Sequence, residues 1–159
     1  MNNSRPKARL SRALGIPLTP KCGKYFERRP FPPGVHGRGR RKASDYQVRL
    51  LEKQRLRHQC NVSEAQMRRA YEDAHRGEGR TGDTMISLLE RRLDAIVRRA
   101  GRTKPPFQIA AAGAHLGERS APYLSTAIEE LRTTLVKNPV RAEGPVTCDE
   151  QLVVEFYAR

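Results

Sequence analysis

Tryptophan is missing from this chain of 159 residues, cysteine occurs three times, and no run of eighteen apolar residues occurs anywhere. With 37% hydrophobic and 6% aromatic residues, the core that can form is modest. The missing apolar run leaves no segment able to span a membrane as a helix. Cys22, Cys60 and Cys148 are too few and too scattered for a disulfide framework, so reduced thiols in a cytosolic protein are expected. Acid is scarce at one end. Residues 1–60 contain only Glu27, Asp45 and Glu52 against 16 of the 31 Lys and Arg, whereas the remainder holds 15 against 14. Nearly all of the net charge of +14 therefore sits in the first 60 residues. Such a block repels itself in water and gains most beside a dense polyanion, where phosphate contacts release counterions. Nucleic acid is the expected partner. A membrane coat fits less well, because the cations lie in a Gly- and Pro-rich segment and not on one helix face. The start MNNSRPKARLSRALG has no apolar h-region, so no secretory signal is expected; an organellar transit peptide remains the alternative.

Prolines 6, 17, 20, 30, 32 and 33 and five glycines punctuate residues 1–43, which are read as an extended basic arm without long regular elements. Such a segment cannot offset its ordering entropy alone, and RNA would supply the compensation. Helical grammar then begins. Ser44 with Gln47 and Ser63 with Gln66 have capping-box spacing, which predicts helices to about Gln59 and to about Gly77. A third helix is predicted from Asp83 (or Thr81) to Gly101, with Met85, Leu88, Leu89, Ile96, Val97 and Ala100 as its apolar stripe and Leu93 between. Its other face would carry Glu90, Arg91, Arg92, Arg98 and Arg99. Residues Leu124 to Val136 read as a fourth helix. The tail QLVVEFY, residues 151–157, reads as a strand with an opposing one near Val146 and Thr147. The expected fold is mainly α with a small β-element: a compact helical body with a long basic N-terminal arm.

His36-Gly37-Arg38-Gly39-Arg40-Arg41-Lys42 is the sharpest motif, four cations on a backbone that glycine lets close to a phosphate ribbon. The bland alternative is a solvated tail. In the first predicted helix, Arg49, Lys53, Arg55 and Arg57 alternate with Val48, Leu50, Leu51 and Leu56, a basic face behind an apolar one. Alone, such a face is as often merely solvated. Cys22 and His36 have no further Cys or His near enough for a closed metal quartet, so neither metal nor cofactor is expected. Cys60 and Cys148 read as small core fillers. His58, His75 and His115 show no partner arrangement. A phosphate-binding GxxxxGK[ST] loop, a nucleophile elbow and a nuclease-like carboxylate cluster are all lacking, so nothing points to an enzyme. Asp149 and Glu150 read as a turn.

The stretch ERRPFPPGVHGRGRRKASDYQVRLLEKQRLR resembles the bacterial ribosomal protein S4 family, whose members share an RPYPPG-x-HG-…-SDY-…-L-x-EKQ-x-x-R core. NVSEAQMRRAYEDA, GRTGDTMISLLERRLDAIVRRAG and CDEQLVVEFYAR agree with the same family in order. Two departures stand out. Family members often carry four zinc-binding cysteines in the arm, and this chain keeps only Cys22, as in the zinc-independent branch. After LDAIVRRAG the family continues into a compact RNA-binding module with an ARQLV-x-HGH-…-VNG signature, whereas here Gly101 leads almost directly into RTKPPFQIA. The module is read as deleted whole between 101 and 102, which splits the chain into the arm 1–43, a helical rRNA-binding body 44–101 and a completing segment 102–159. Its ends would lie close together, so the body tolerates the loss.

The resemblance implies a structural constituent of the small ribosomal subunit in the cytoplasm. It implies docking on the 5′ domain of 16S rRNA, early assembly, protein neighbours, a place beside the mRNA entrance and an influence on decoding accuracy. Arg38, Arg40, Arg41 and Lys42 would face the entrance. The cations expected to meet RNA are Arg5, Lys7, Arg9, Arg12, Lys21, Lys24, Arg28 and Arg29 in the arm, with His36 beside the tract above. Arg49, Lys53, Arg55, Arg57, Arg68 and Arg69 follow in the body. Tyr46 would pack at a helix start or else stack on RNA. If about six to eight phosphates are neutralised, the log–log salt slope should be roughly −5 to −7. A free assembly or regulatory paralogue, a binder of DNA or acidic protein, and a nonfunctional deletion product remain open alternatives.

Overall fold

The computed structural model describes residues 6–35, 37, 39, 42–92, 121–127, 132–144 and 146–158. Six helices and one hairpin are found there: α1 (Lys7–Leu14), α2 (Pro20–Arg28), α3 (Asp45–Cys60), α4 (Glu64–Arg76), α5 (Thr81–Glu90), β1 (Leu124–Ala127), β2 (Arg132–Leu135) and α6 (Glu150–Tyr157). The fold is mainly α with a small β-element, as expected. Two compact units are present, one of residues 1–69 with 146–159 and one of residues 70–145.

In the first unit the two capping boxes act as the spacing predicts. Ser44 Oγ accepts from the Gln47 N–H at 3.3 Å and starts α3. Ser63 and Gln66 cap reciprocally, each side chain accepting the other's N–H, at 3.2 and 2.9 Å. The extended reading of residues 1–43 is corrected. α1 and α2 occupy much of the segment, Pro20 sitting at a helix N-terminus where its missing N–H costs nothing. Gly15 ends α1 in the left-handed conformation (φ 71°). The Pro-Pro-Gly loop stays irregular. There Gly37 donates to the Gly34 carbonyl at 3.3 Å, and a Cβ at Gly37 would fall 1.9 Å from the Pro32 oxygen. The turn, before any ligand, requires that glycine.

The C-terminal strand is also overturned. QLVVEFY is helical: Asp149 Oδ1 accepts from the N–H groups of Gln151 and Leu152 at 3.0 and 3.3 Å, so the acid read as part of a turn is a cap. α6 packs along α3, with Val153 fully buried and Phe156 against Tyr46 at 5.8 Å between centroids. This packing outweighs the β-propensity of two valines and two aromatics. No strand forms at Val146 and Thr147. The Gln59 side-chain amide instead takes both backbone groups of Thr147, each at 2.8 Å. Leu56, Cys60, Val62, Met67, Val146 and Val153 form the core, so Cys60 is a core filler while Cys148 is half-buried.

In the second unit, α5 starts at Thr81, and its expected course beyond residue 92 lies outside the described residues. Met85, Ile86 and Leu89 are buried, and so is Glu90, contrary to its expected outward face. Glu90 is 1% exposed, and the Tyr123 hydroxyl donates to its Oε2 at 3.1 Å, helping to satisfy a carboxylate that burial would otherwise penalise. Where a helix is expected over 124–136, the described residues form two antiparallel strands. Leu124 pairs with Leu135, Ser125 with Thr134, and Thr126 with Thr133. Threonine-rich flanks on both sides suit a pleated ladder better than a helix.

Candidate nucleic-acid interface

α1 is amphipathic: Leu10, Ser11 and Leu14 face inward, while Lys7, Arg9 and Ala13 face solvent. Ser11 is fully buried, its Oγ donating to the Lys7 carbonyl at 2.9 Å and accepting the Leu18 N–H at 3.2 Å. That bond fixes the connection into α2. Cys22 anchors α2 from below, its sulfur accepting from the Thr19 hydroxyl at 2.9 Å. Arg12 then pins the chain that leaves α2. Its Nε lies 3.0 Å from the carbonyl oxygens of both Arg29 and Phe31, and its guanidinium stands 5.1 Å from the Phe31 ring centroid.

These ties shape a groove of about 730 Å³, lined by Pro6, Ala8, Arg9, Arg12, Tyr25, Arg28, Arg29, Pro33 and Gly34. No acid lines it. Arg9, Arg28 and Arg29 are exposed, and their side chains make no hydrogen bond or ion pair among the described residues. Tyr25 presents its ring to solvent, at 58% exposure. Three unengaged guanidinium groups beside a bare aromatic ring are chemically suited to phosphodiesters and an unstacked base. Sequence reasoning named the arginines but missed Tyr25, because only the packing of α1 on α2 puts that ring among them.

The cations of α3 have a different fate. Arg49 Nε pairs with Glu155 at 2.8 Å. Lys53 is 6% exposed; its Nζ lies 2.9 Å from Glu64 Oε1 and 4.1 Å from the Phe156 ring centroid. Arg55 pairs with Glu52 and donates from Nε to the Leu14 carbonyl at 2.7 Å, tying α1 to α3. Arg57 donates to the Val62 carbonyl at 3.4 Å and stands 3.9 Å from Glu64. Glu52 also accepts the Asp149 N–H at 3.1 Å. The expected basic face is thus an internal seam that clamps α6 and the start of α4 to α3.

Glu64 is the hub of this seam. Burial pushes its carboxyl up, but hydrogen bonds from Lys53 and Tyr157 and the charges of Lys53 and Arg57 prevail and hold it below the ordinary glutamate value. Tyr157 is raised well above an ordinary tyrosine, first by burial and then by its 2.8 Å hydrogen bond to Glu64.

Among the remaining candidates, Lys7, Lys24, Lys42, Arg68 and Arg69 are exposed. Arg5, His36, Arg38, Arg40 and Arg41, together with the side chain of Lys21, lie outside the described residues. No group of three His, Cys, Asp or Glu able to hold a metal occurs among the described residues. No described helix is long and apolar enough to cross a membrane.

Residues 2–90 match the ribosomal protein S4/S9 N-terminal domain, which places α1 to α5 inside that match. The chain belongs to the ribosomal protein S4 family. It is 48% identical to a small ribosomal subunit protein uS4 of Paenarthrobacter aurescens over 204 aligned positions, with 99% of each chain covered. The uS4 protein of Streptomyces griseus is 46% identical over 202 positions, again with 99% of each covered. That of Micrococcus luteus is 49% identical over 202, with 98% of this chain and 97% of the relative covered. Because this chain has only 159 residues, at least 45 of the 204 positions aligned with the first relative have no counterpart in it.

Proposed function

We propose that the protein is a structural constituent of the small ribosomal subunit that docks on the 5′ domain of 16S rRNA early in assembly. It binds and does not catalyse. The supporting observation is the acid-free arginine groove of α1 and α2, which lies within the stretch that matches the family domain. The ribosomal names of the relatives fit a charge distribution made for polyanionic RNA. Neighbouring small-subunit proteins complete its surroundings. The tract from His36 to Lys42 faces the mRNA entrance in this reading, where it bears on decoding accuracy, and the missing positions are the RNA-binding module, lost between 101 and 102. Losing that module shifts the burden of RNA contact to the first unit.

Quantitative mass spectrometry of small subunits washed through a high-salt sucrose gradient tests this reading. Near-stoichiometric recovery is expected. Absence from washed subunits, with folded protein abundant in the supernatant, would replace it by a second reading: a free assembly or regulatory paralogue. The gap of at least 45 positions is what favours that alternative.

A further inference from the structure

We infer that the α1–α2 groove takes a single-stranded RNA segment, with one base stacked on Tyr25 and the flanking phosphates held by Arg9, Arg28 and Arg29. The inference rests on the RNA-binding function proposed for the chain and names the form of RNA that this site accepts. Two observations and one property of duplex RNA lead to it. The groove is a concavity of about 730 Å³, within the ~300–1,000 Å³ typical of sites that enclose small ligands and so of a size for one or two nucleotides. A duplex keeps its bases stacked inside and its deep major groove closed to side chains, so it would offer this concavity phosphates and minor-groove edges but no base face to stack on a ring. Tyr25 is 58% exposed, on a face whose other polar lining is entirely cationic. An exposed ring beside arginines has no packing role to lose, and a base face is the surface that complements it.

The site is also preorganised. Arg12 is spent on the Arg29 and Phe31 carbonyls, both at 3.0 Å, which holds the chain bearing Arg29 in place. Arg9, Arg28 and Arg29 keep their guanidinium groups for the ligand. Arg12 is therefore a positioning residue, and the other three are contacts.

The test uses the full chain and two probes: a single-stranded RNA of roughly eight nucleotides with 2-aminopurine at its centre, and an RNA duplex of equal length. Wild type should bind the single strand more tightly and quench the 2-aminopurine emission. Tyr25→Ala should weaken single-strand binding by roughly ten- to a hundredfold, abolish the quench and leave duplex binding unchanged, while Tyr25→Phe should behave as wild type. Arg28→Gln with Arg29→Gln should lower the single-strand salt slope by about 1.4 while keeping the residual quench. Thermal melting checks that each variant is folded; should Tyr25→Ala melt early, the Tyr25→Phe and arginine variants decide. Wild-type affinity of Tyr25→Ala for the single strand, or equal losses on both probes, would overturn the inference. If wild-type protein enters washed subunits yet ignores the single strand, this inference fails and the ribosomal function stands. If it binds the single strand through Tyr25 yet never enters subunits, the groove assignment stands and the ribosomal function fails.

Discussion

Two arginine-rich regions of the first unit look alike in sequence and differ in what their charge does. On α3, Arg49, Lys53, Arg55 and Arg57 meet Glu155, Glu64 and Glu52, and their charge is spent holding helices together. On α1 and α2, Arg9, Arg28 and Arg29 line a groove without acids and keep their charge for a partner. Local charge density therefore does not identify a binding face. What matters is whether the fold delivers a carboxylate to each cation. A buried cation without its partner is costly, so such pairs resist single changes, whereas exposed arginines can be altered with little effect on stability.

The sharpest way to break this comparison is Glu52→Ala. It removes the acceptor of both Arg55 and the Asp149 N–H, each partly buried. A loss of about 3 kcal/mol is expected from the urea midpoint, with the salt slope of RNA binding unchanged. A stable variant would show that the α3 seam is not structural. Next in size, replacing Arg9, Arg28 and Arg29 together by Gln should leave the midpoint within about 0.5 kcal/mol while reducing the magnitude of the single-strand salt slope by about two. Arg57→Gln is its control. If Arg57→Gln flattens the slope as much as one groove arginine does, the distinction between the two regions collapses.

The smallest effect is on pH. Glu64 has a lowered carboxyl in the fold, so its contribution is present above the ordinary glutamate value of 4.5 and is lost as pH falls through the lower, folded value. Because its side chain is 45% exposed, solvent screens the interaction, and about 0.5 kcal/mol is expected to disappear on that acid limb. Stability titrations of wild type and Glu64→Gln below pH 4.5 should differ in slope. Parallel curves would place the seam's strength in packing and not in charge.

The helices α3 and α4 were legible because a capping side chain and its target lie three residues apart, so the signal is local. α6 and the hairpin were exchanged in type. Leu152 to Tyr157 is rich in strand-forming residues, yet the Asp149 cap and the face of α3 decide for helix. The Ala-Ile-Glu-Glu-Leu centre of 127–131 suggests helix, yet the flanking threonines pair as a ladder. In the candidate site the arginines were legible as charge, but their separation into free and engaged sets was not. Arg49 and Glu155 are 106 residues apart in the chain, and no local pattern signals that meeting.

By itself, then, the sequence determined a one-sided charge suited to a polyanionic partner, and the family, through long ordered motifs. It also determined those helices whose ends carry their own caps. The tertiary structure alone decided which cations remain available, that Tyr25 stands beside them, and that the chain's end is a helix. Caps act across three or four residues and are written locally; burial and ion pairing depend on which distant segments fold together.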